Sequence, residues 1–501
     1  MTSTAAALDA DLAAILDARL KARAARTAFE LFEGADQARI DAIVRAMARA
    51  GTDAAEELAR LAVDETGYGV FEDKIVKNLY NTRVVADALL SMRTVGVLWV
   101  DEGARTTAVG CPVGVVAGII PVTNPTSTVL FKILASVKAG NAIVCAPHPR
   151  AARCCTRAAQ VLAQAAERAG APPGLISCLD QPTLSATREL MTHDAVTMIL
   201  ATGGADMVRA CYSAGKPTIA VGAGHVPCFV HRSVPDITEA AVMVVTSKAF
   251  DNGTACVAEQ AVVIDEPVAD AYEAALEAAG CAWVDPSHHP ALSALLFTER
   301  GGLRPEAVGQ SAVELARRAG LSVPPSTRVL GIRLDSVGRH APLSAEILGP
   351  VLKVHRVADA DEGWRVCREI LAFGGEGHTL ALHASDPDVI ARFSALPASR
   401  ILVNTPALFG GMGYSTGIDP SFVLGTGTWS GSIASDNITA LHLINIKRLA
   451  YEIRPFVASD APREDGQTDR PTVQPSTRPT VDDVARAVEA FLADRRARKR
   501  A

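Results

Sequence analysis

The sequence predicts an α/β protein whose two halves are each built around a doubly wound, largely parallel sheet. Short apolar runs rich in β-branched residues alternate with amphipathic stretches from about residue 96 onward, and turn residues separate the two kinds of segment. At 501 residues the chain also exceeds what one hydrophobic core normally serves, so at least two domains are expected.

Taken in order, residues 6–64 are rich in Ala, Leu and charge with helical periodicity, and helices are expected to continue to about residue 90. Val95 to Trp99 and Thr106 to Ile120 read as strands. Then follow a strand at Ala142 to Cys145, a helix at Ala151 to Gly170, a strand at Thr197 to Ala201 and a helix at Ala205 to Ala214. A second alternating set runs from Val226 to about Val423. Residues 457–479 are rich in Pro, Ser, Thr and Asp with almost nothing large and apolar, the composition of a disordered linker. A helix is expected to start at Thr480, where Asp483 completes a capping-box-like pattern, with Val481, Val484, Val488, Phe491 and Leu492 on one face.

Composition narrows the function classes. An apolar content of 49% with a net charge of -6 is that of a globular protein, and argues against nucleic acid as a partner. No segment has the apolar length of a membrane span, and Asp9, Asp11 and Asp17 stand where a secretory signal would be basic and then apolar, so an intracellular, cytoplasmic protein is expected. The ten cysteines lack the dense spacing of a disulfide framework, and Cys154-Cys155 is not a zinc pattern; reduced thiols and no metal site are expected.

Chemistry concentrates at two places. In Phe250-Asp-Asn-Gly-Thr-Ala-Cys256 the Asn252-Gly253 turn precedes a cysteine, which in turn precedes an apolar run from Gln260 to Asp265. Such a turn presents a thiol on a tight loop with backbone N–H groups nearby. Upstream, the apolar run Pro112 to Val122 ends in Thr123-Asn124-Pro125, so Asn124 falls at the carboxyl end of a strand, where open α/β sheets place ligands. Thr202-Gly203-Gly204 follows an apolar strand and opens a helix, leaving N–H groups able to face a phosphate, although no full Gly-x-Gly-x-x-Gly stands there.

Several colinear stretches resemble the aldehyde dehydrogenase superfamily, and residues 30–450 are similar to the aldehyde dehydrogenase half of bifunctional aldehyde-alcohol dehydrogenases and to other CoA-acylating members. They are Glu65 to Asn78, Thr123 to Lys132, Pro147 to Arg150, Ala201 to Gly204, Val221 to Gly224, Phe250 to Gln260, Glu346-Ile-Leu-Gly-Pro350 and Leu424 to Trp429. The resemblance implies an aldehyde dehydrogenase fold. N-terminal helices and a Rossmann-like cofactor domain would span residues 1–225 with a strand arm near 95–111, a catalytic domain 226–424, and a return to the cofactor domain and oligomerisation arm 425–456. It further implies Cys256 as nucleophile, Asn124 as oxyanion donor, Glu346 on the nicotinamide ribose, and His148, Gly203, Gly204 and Gly222 at the cofactor. A homodimer or homotetramer is implied as well.

The mechanism implied is attack by the Cys256 thiolate on an aldehyde, with the oxyanion held by the Asn124 amide and the Cys256 N–H, followed by hydride transfer to NAD and a thioester. Hydrolytic relatives carry a glutamate before a Gly-Gly pair to activate water. The matching stretch here, Thr218 to His225, has no carboxylate, which favours coenzyme A as acyl acceptor in a ping-pong cycle. Acetaldehyde or propionaldehyde is the expected substrate. A hydrolytic enzyme and an acylating sulfoacetaldehyde dehydrogenase are the alternatives, and NADP remains open. His225 and His378 are expected to pack or tune the pocket rather than act as bases. The helix at 480–501 resembles encapsulation peptides that bind microcompartment shell proteins; packing on its own assembly is the alternative.

Overall fold

A computed structural model describes residues 2–453 and 480–498; the linker expected at 457–479 lies outside the described residues. Five helical segments fill the N-terminal region from Thr2 to Ser91, with a π-helical turn at Asn81–Val85. Strands β1 (Gly96–Asp101) and β2 (Thr106–Pro112) pair antiparallel.

The apolar run from Thr106 to Ile120 is two strands belonging to two sheets. It breaks at Gly114, whose φ of 124° suits glycine, and the Asn141 side chain satisfies the N–H groups of Val113 and Gly114 at the break. The second piece, β3 (Val115–Ile120), joins β4 (Ala142–Pro147), β5 (Ile176–Cys178), β6 (Met198–Thr202) and β7 (Thr218–Val221) in a parallel sheet of order β5-β4-β3-β6-β7. Its core takes in the N-terminal helices and, from far downstream, Val423, Ile438, Ala440 and Leu443.

Strands β8 (Val226–Val230), β9 (Glu259–Asp265), β10 (Cys281–Trp283), β11 (Val329–Arg333), β12 (Val351–Val357), β13 (Gly377–His383) and β14 (Ala398–Val403) form a second parallel sheet of order β10-β11-β12-β9-β8-β13-β14. Helices cover both faces, and β8, β9 and β13 are buried on both sides, as parallel strands require. Finally β15 (Ile444–Ala450) returns to pair antiparallel with β2, giving the three-stranded sheet β1-β2-β15.

The C-terminal helix, Val481–Arg498, starts with a reciprocal cap: the Asp483 N–H donates to Thr480 Oγ1 and the Thr480 N–H to Asp483 Oδ2. It seats on β1, where Glu489 accepts from Arg93 at 2.6 Å and from the Val97 N–H at 3.0 Å. The expected apolar face is split. Leu492 lines a small cavity against Phe32 and Val109, whereas Phe491 is 64% exposed.

Candidate active site

In the five-stranded sheet β4 and β5 lie on one side of β3, and β6 and β7 on the other. That reversal makes the carboxyl ends of β3 and β6 the switch point where an α/β sheet opens a crevice. A cavity of about 490 Å³ lies there. It is lined by Asn124 beyond β3, His148 beyond β4, Gly203 and Gly204 beyond β6 and Gly222 beyond β7, and by Cys256 and Glu346 from the other half. The structure therefore brings all seven candidate residues to one cavity. A smaller space of about 50 Å³ also touches Asn124 and Cys256, together with Lys77 and Phe422.

Asn124 caps the helix Pro125–Lys138, with Pro125 in the first turn, where a missing N–H does no harm. Its side chain is fixed at both ends. Lys77 donates to Asn124 Oδ1 at 2.7 Å, which leaves Nδ2 to point at the cysteine loop, where it donates to the Thr254 carbonyl at 3.2 Å. The loop itself is left-handed at three successive residues, Asp251 (φ 50°), Asn252 (52°) and Gly253 (68°). Asp, Asn and Gly tolerate that region best, but two non-glycines in a row still need external support. Asp251 supplies it: its carboxylate accepts from Lys74 at 2.9 Å, Lys77 at 2.5 Å, the Val70 N–H at 2.7 Å and Thr254 Oγ1 at 2.7 Å. Burial pushes the Asp251 carboxyl up, yet Lys77 and Lys74 overcome it and hold it below the ordinary range, so it stays ionised.

Of ten free cysteines only Cys111 and Cys256 are not buried, and Cys256 alone lines the cavity. Burial, and then the Glu346 carboxylate, push the Cys256 thiol up to about 12, while Arg400 and Lys77 draw it back. Arg400 is buried behind the loop and held by the carbonyls of Gly425 (2.6 Å) and His378 (3.0 Å).

Glu346 precedes the Gly349-Pro350 turn and accepts from the Gly224 N–H at 3.0 Å. Gly224 cannot be larger: a Cβ there would lie 2.1 Å from the Cys256 carbonyl oxygen. Gln260, four residues past the cysteine, clamps the neighbouring Ile347 at both ends, accepting from its N–H at 3.0 Å and donating to its carbonyl at 3.1 Å. Lys353 and Lys248, both buried, complete that platform by donating to Gln260 Oε1 and to the Ile347 carbonyl.

The histidines divide. His148 lies at the cavity with its Nδ1 accepting from the Arg150 N–H. His225 and His378 are buried and are not among the cavity residues; burial holds both below the usual range, His378 at about 3. His225 packs beside Phe373, and His378 Nδ1 pairs with Thr379 Oγ1. Lys74, Lys77, Asp251, Gln260 and Arg400 carry no visible role in the sequence. Their only signal there is that Lys74, Lys77, Asp251 and Gln260 fall inside the matching stretches, and Arg400 has none.

The model of the aldehyde dehydrogenase family matches residues 6–287. The bifunctional aldehyde-alcohol dehydrogenase of Escherichia coli (strain K12) is 40% identical over 420 residues, covering 83% of this chain but 47% of that protein, so the chain spans about half the length of this relative. A crystal structure of an acetylating aldehyde dehydrogenase from Geobacillus thermoglucosidasius superposes with a TM-score of 0.87 at 42% identity, over 89% of this chain and 99% of that one. A propionaldehyde dehydrogenase from Rhodopseudomonas palustris, solved with bound CoA and an acylated cysteine, superposes with a TM-score of 0.78 at 26% identity over 87% of this chain and 97% of that one.

Proposed function

This chain belongs to the aldehyde dehydrogenase family, and on that premise we propose that it oxidises a short-chain aldehyde with NAD and coenzyme A to an acyl-CoA. One observation carries the reading: Cys256 and a fixed Asn124 amide converge on a cavity whose β7 edge, Thr218 to His225, offers no carboxylate to activate water.

The cavity suits a dinucleotide. Gly204 caps the helix Ala205–Tyr212 without a side-chain cap, so its first N–H groups remain for a phosphate, and Glu346 offers a carboxylate suited to a vicinal diol. Gly203, Gly204, Gly222, His148 and Glu346 would hold the cofactor, and the nicotinamide would supply the hydride acceptor. The chain's own groups do the rest. Cys256 Sγ gives up its proton to solvent and attacks the aldehyde carbon as the thiolate. Lys77 pins Asn124 Oδ1, so that Nδ2, which at rest donates to Thr123 Oγ1 and the Thr254 carbonyl at 3.2 Å each, is ordered beside the cysteine and exchanges one of these long bonds for the substrate oxygen as charge develops. With no base on the β7 edge, the resulting thioester survives for a thiol acceptor.

The substrate enters from the side opposite the cofactor in this reading. The groove there is lined by Val76, Tyr80, Phe250, Phe409, Met412 and Tyr414, an apolar wall that suits the alkyl chain of acetaldehyde or propionaldehyde, with Lys77 and Arg83 also at the groove, so sulfoacetaldehyde stays an arm of the test. The edge strand β15, with Ile446 42% exposed, supports self-association as a homodimer or homotetramer. The exposed Phe491 supports a role for the C-terminal helix in binding a microcompartment shell protein within the cytoplasm.

The test is NADH formation from acetaldehyde, propionaldehyde and sulfoacetaldehyde, with and without CoA, beside Cys256→Ala. Turnover that needs CoA and Cys256 is expected. Equal turnover without CoA would make the enzyme hydrolytic, and preference for sulfoacetaldehyde would replace the substrate assignment.

A further inference from the structure

The β7 edge has no carboxylate of its own, yet one is pressed against it from the other half of the molecule. Glu346 Oε1 accepts from the Gly224 N–H at 3.0 Å, and Gly224 packs so closely on the cysteine that an added Cβ would stand 3.1 Å from Cys256 Cβ. The second oxygen, Oε2, has no hydrogen-bond partner among the described residues and is not sealed from the cavity that Cys256 also lines. A carboxylate with one oxygen anchored and the other unpaired, on the same cavity as the reacting cysteine, is arranged as an acid–base group.

We propose, resting on the acylating reading above, that Glu346 also serves as the base of the second half-reaction. After the reduced cofactor has formed, it takes the proton from the incoming CoA thiol. The thiol S–H bond breaks as Glu346 Oε2 gains the proton. The freed sulfur pair forms a bond to the acyl carbon, the bond from that carbon to Cys256 Sγ breaks, and Glu346 returns the proton to the departing Sγ. Charge and atoms balance with no redox change: the proton passes from the CoA thiol to the Cys256 thiol, and Glu346 ends as the carboxylate it began as.

Magnitudes decide which acceptor this base can serve. Burial raises Glu346 to about 7, opposed by the Gly224 N–H and by Lys353 and Lys248, the cations that face it from β12 and the helix Ile237–Ala249. Cys256 is the remaining titratable group in contact with its field. Against a thiol of pKa about 8.5 such a base is short by roughly 1.5 units. Against water at about 15.7 it is short by nearly nine. The same carboxylate thus favours thiol over water, and reconciles a nearby base with a thioester that resists hydrolysis. His225 and His378, which the sequence disfavours as bases, are not among the cavity residues, and burial holds both below the usual range, His378 at about 3, so they lack both position and basicity.

The experiment uses the full chain without nicotinamide. Cys256 is acylated with p-nitrophenyl propionate, the acyl-enzyme is chased with CoA or with N-acetylcysteamine between pH 5 and 10, and its decay is followed by intact-protein mass. In the native enzyme, decay is expected to level off above pH ~7. In Glu346→Gln it should fall about 10²-fold near neutrality and keep rising with pH as thiolate accumulates, a change in profile that a packing defect does not produce. Glu346→Asp should restore part of the plateau. Acylation by the ester, and alkylation of Cys256 by iodoacetamide in the absence of ligands, report that the variant's site is formed. A native acyl-enzyme that CoA discharges no faster than water would overturn the acylating reading itself. A native enzyme that discharges to CoA, with Glu346→Gln matching it in rate and profile, or with the plateau lost in His378→Gln instead, would overturn only the role of Glu346.

Discussion

Lys77 holds three groups at once: the Asn124 carbonyl, the Asp251 carboxylate and the Thr254 hydroxyl. An amide that must donate to a developing oxyanion gains from being oriented in advance, and this ammonium does the orienting. Lys77→Met should therefore lower kcat about 10²-fold with a smaller change in KM. It should also destabilise the fold by roughly 3–5 kcal/mol, because the buried Asp251 keeps Lys74 alone. Steady-state kinetics beside a urea titration separate the two effects; an unchanged kcat in a destabilised variant would leave Lys77 purely structural. The cysteine offers a pH measurement. With its thiol pushed up to about 12, alkylation of the ligand-free protein should accelerate with pH across the whole accessible range. Because Glu346 is one of the groups raising it, Glu346→Gln should make alkylation faster at pH 8, not slower. Cys256 and Asn124 are legible in the sequence since each sits at a local punctuation mark, a left-handed turn or a strand end before proline. Lys77 is not, because its partner Asp251 lies 174 residues away and no local pattern announces it.

Strands and loops were legible to different degrees for a physical reason. Two-sided burial writes continuous apolar runs into β3, β4, β8 and β9, and such runs stand out in the sequence by themselves. The run through Gly114 looks continuous because one glycine and a side chain from residue 141 make the break, and neither interrupts apolarity. Loop contacts are just as hidden. A Cβ on Gly253 would stand 2.6 Å from the Gly349 backbone and one on Gly224 2.1 Å from the Cys256 carbonyl oxygen, so three loops from three parts of the chain close on one another through glycines. Gly224→Ala should displace the cysteine loop and reduce activity by at least 10²-fold while circular dichroism stays native, since its φ lies outside the left-handed region and the clash is local. Gln260→Leu removes the clamp on Ile347 and strips Lys353 of its acceptor. Its expected signature is a raised KM for NAD, through a loosened Glu346, and a loss of stability of about 3 kcal/mol. A KM that does not move would detach the clamp from the cofactor site.

At the scale of the whole molecule, the cavity draws residues from both sheets, so any motion of one half against the other is felt at Cys256, whereas the C-terminal helix lies at the edge of the arm sheet. None of its residues lines the cavity, and its contacts run to β1 and β2 through Glu489 and Leu492. That placement separates two roles for the same segment. If the helix is packing for its own subunit, its removal exposes the apolar pocket under Leu492 and should lower stability. If Phe491 is the face offered to a shell protein, removal should abolish capture by that protein. The two roles are compatible, because they use different sides of one helix, and two variants tell them apart. Truncation before Thr480 should leave CoA-dependent kcat within about twofold, because substitutions and deletions remote from a site rarely reach it, and should end co-purification with a co-expressed shell protein. Phe491→Asp should end that co-purification with the thermal midpoint unchanged, while Glu489→Ala should lower the midpoint and spare it. Shell capture that survives both truncation and Phe491→Asp would show that cargo loading is read from another surface.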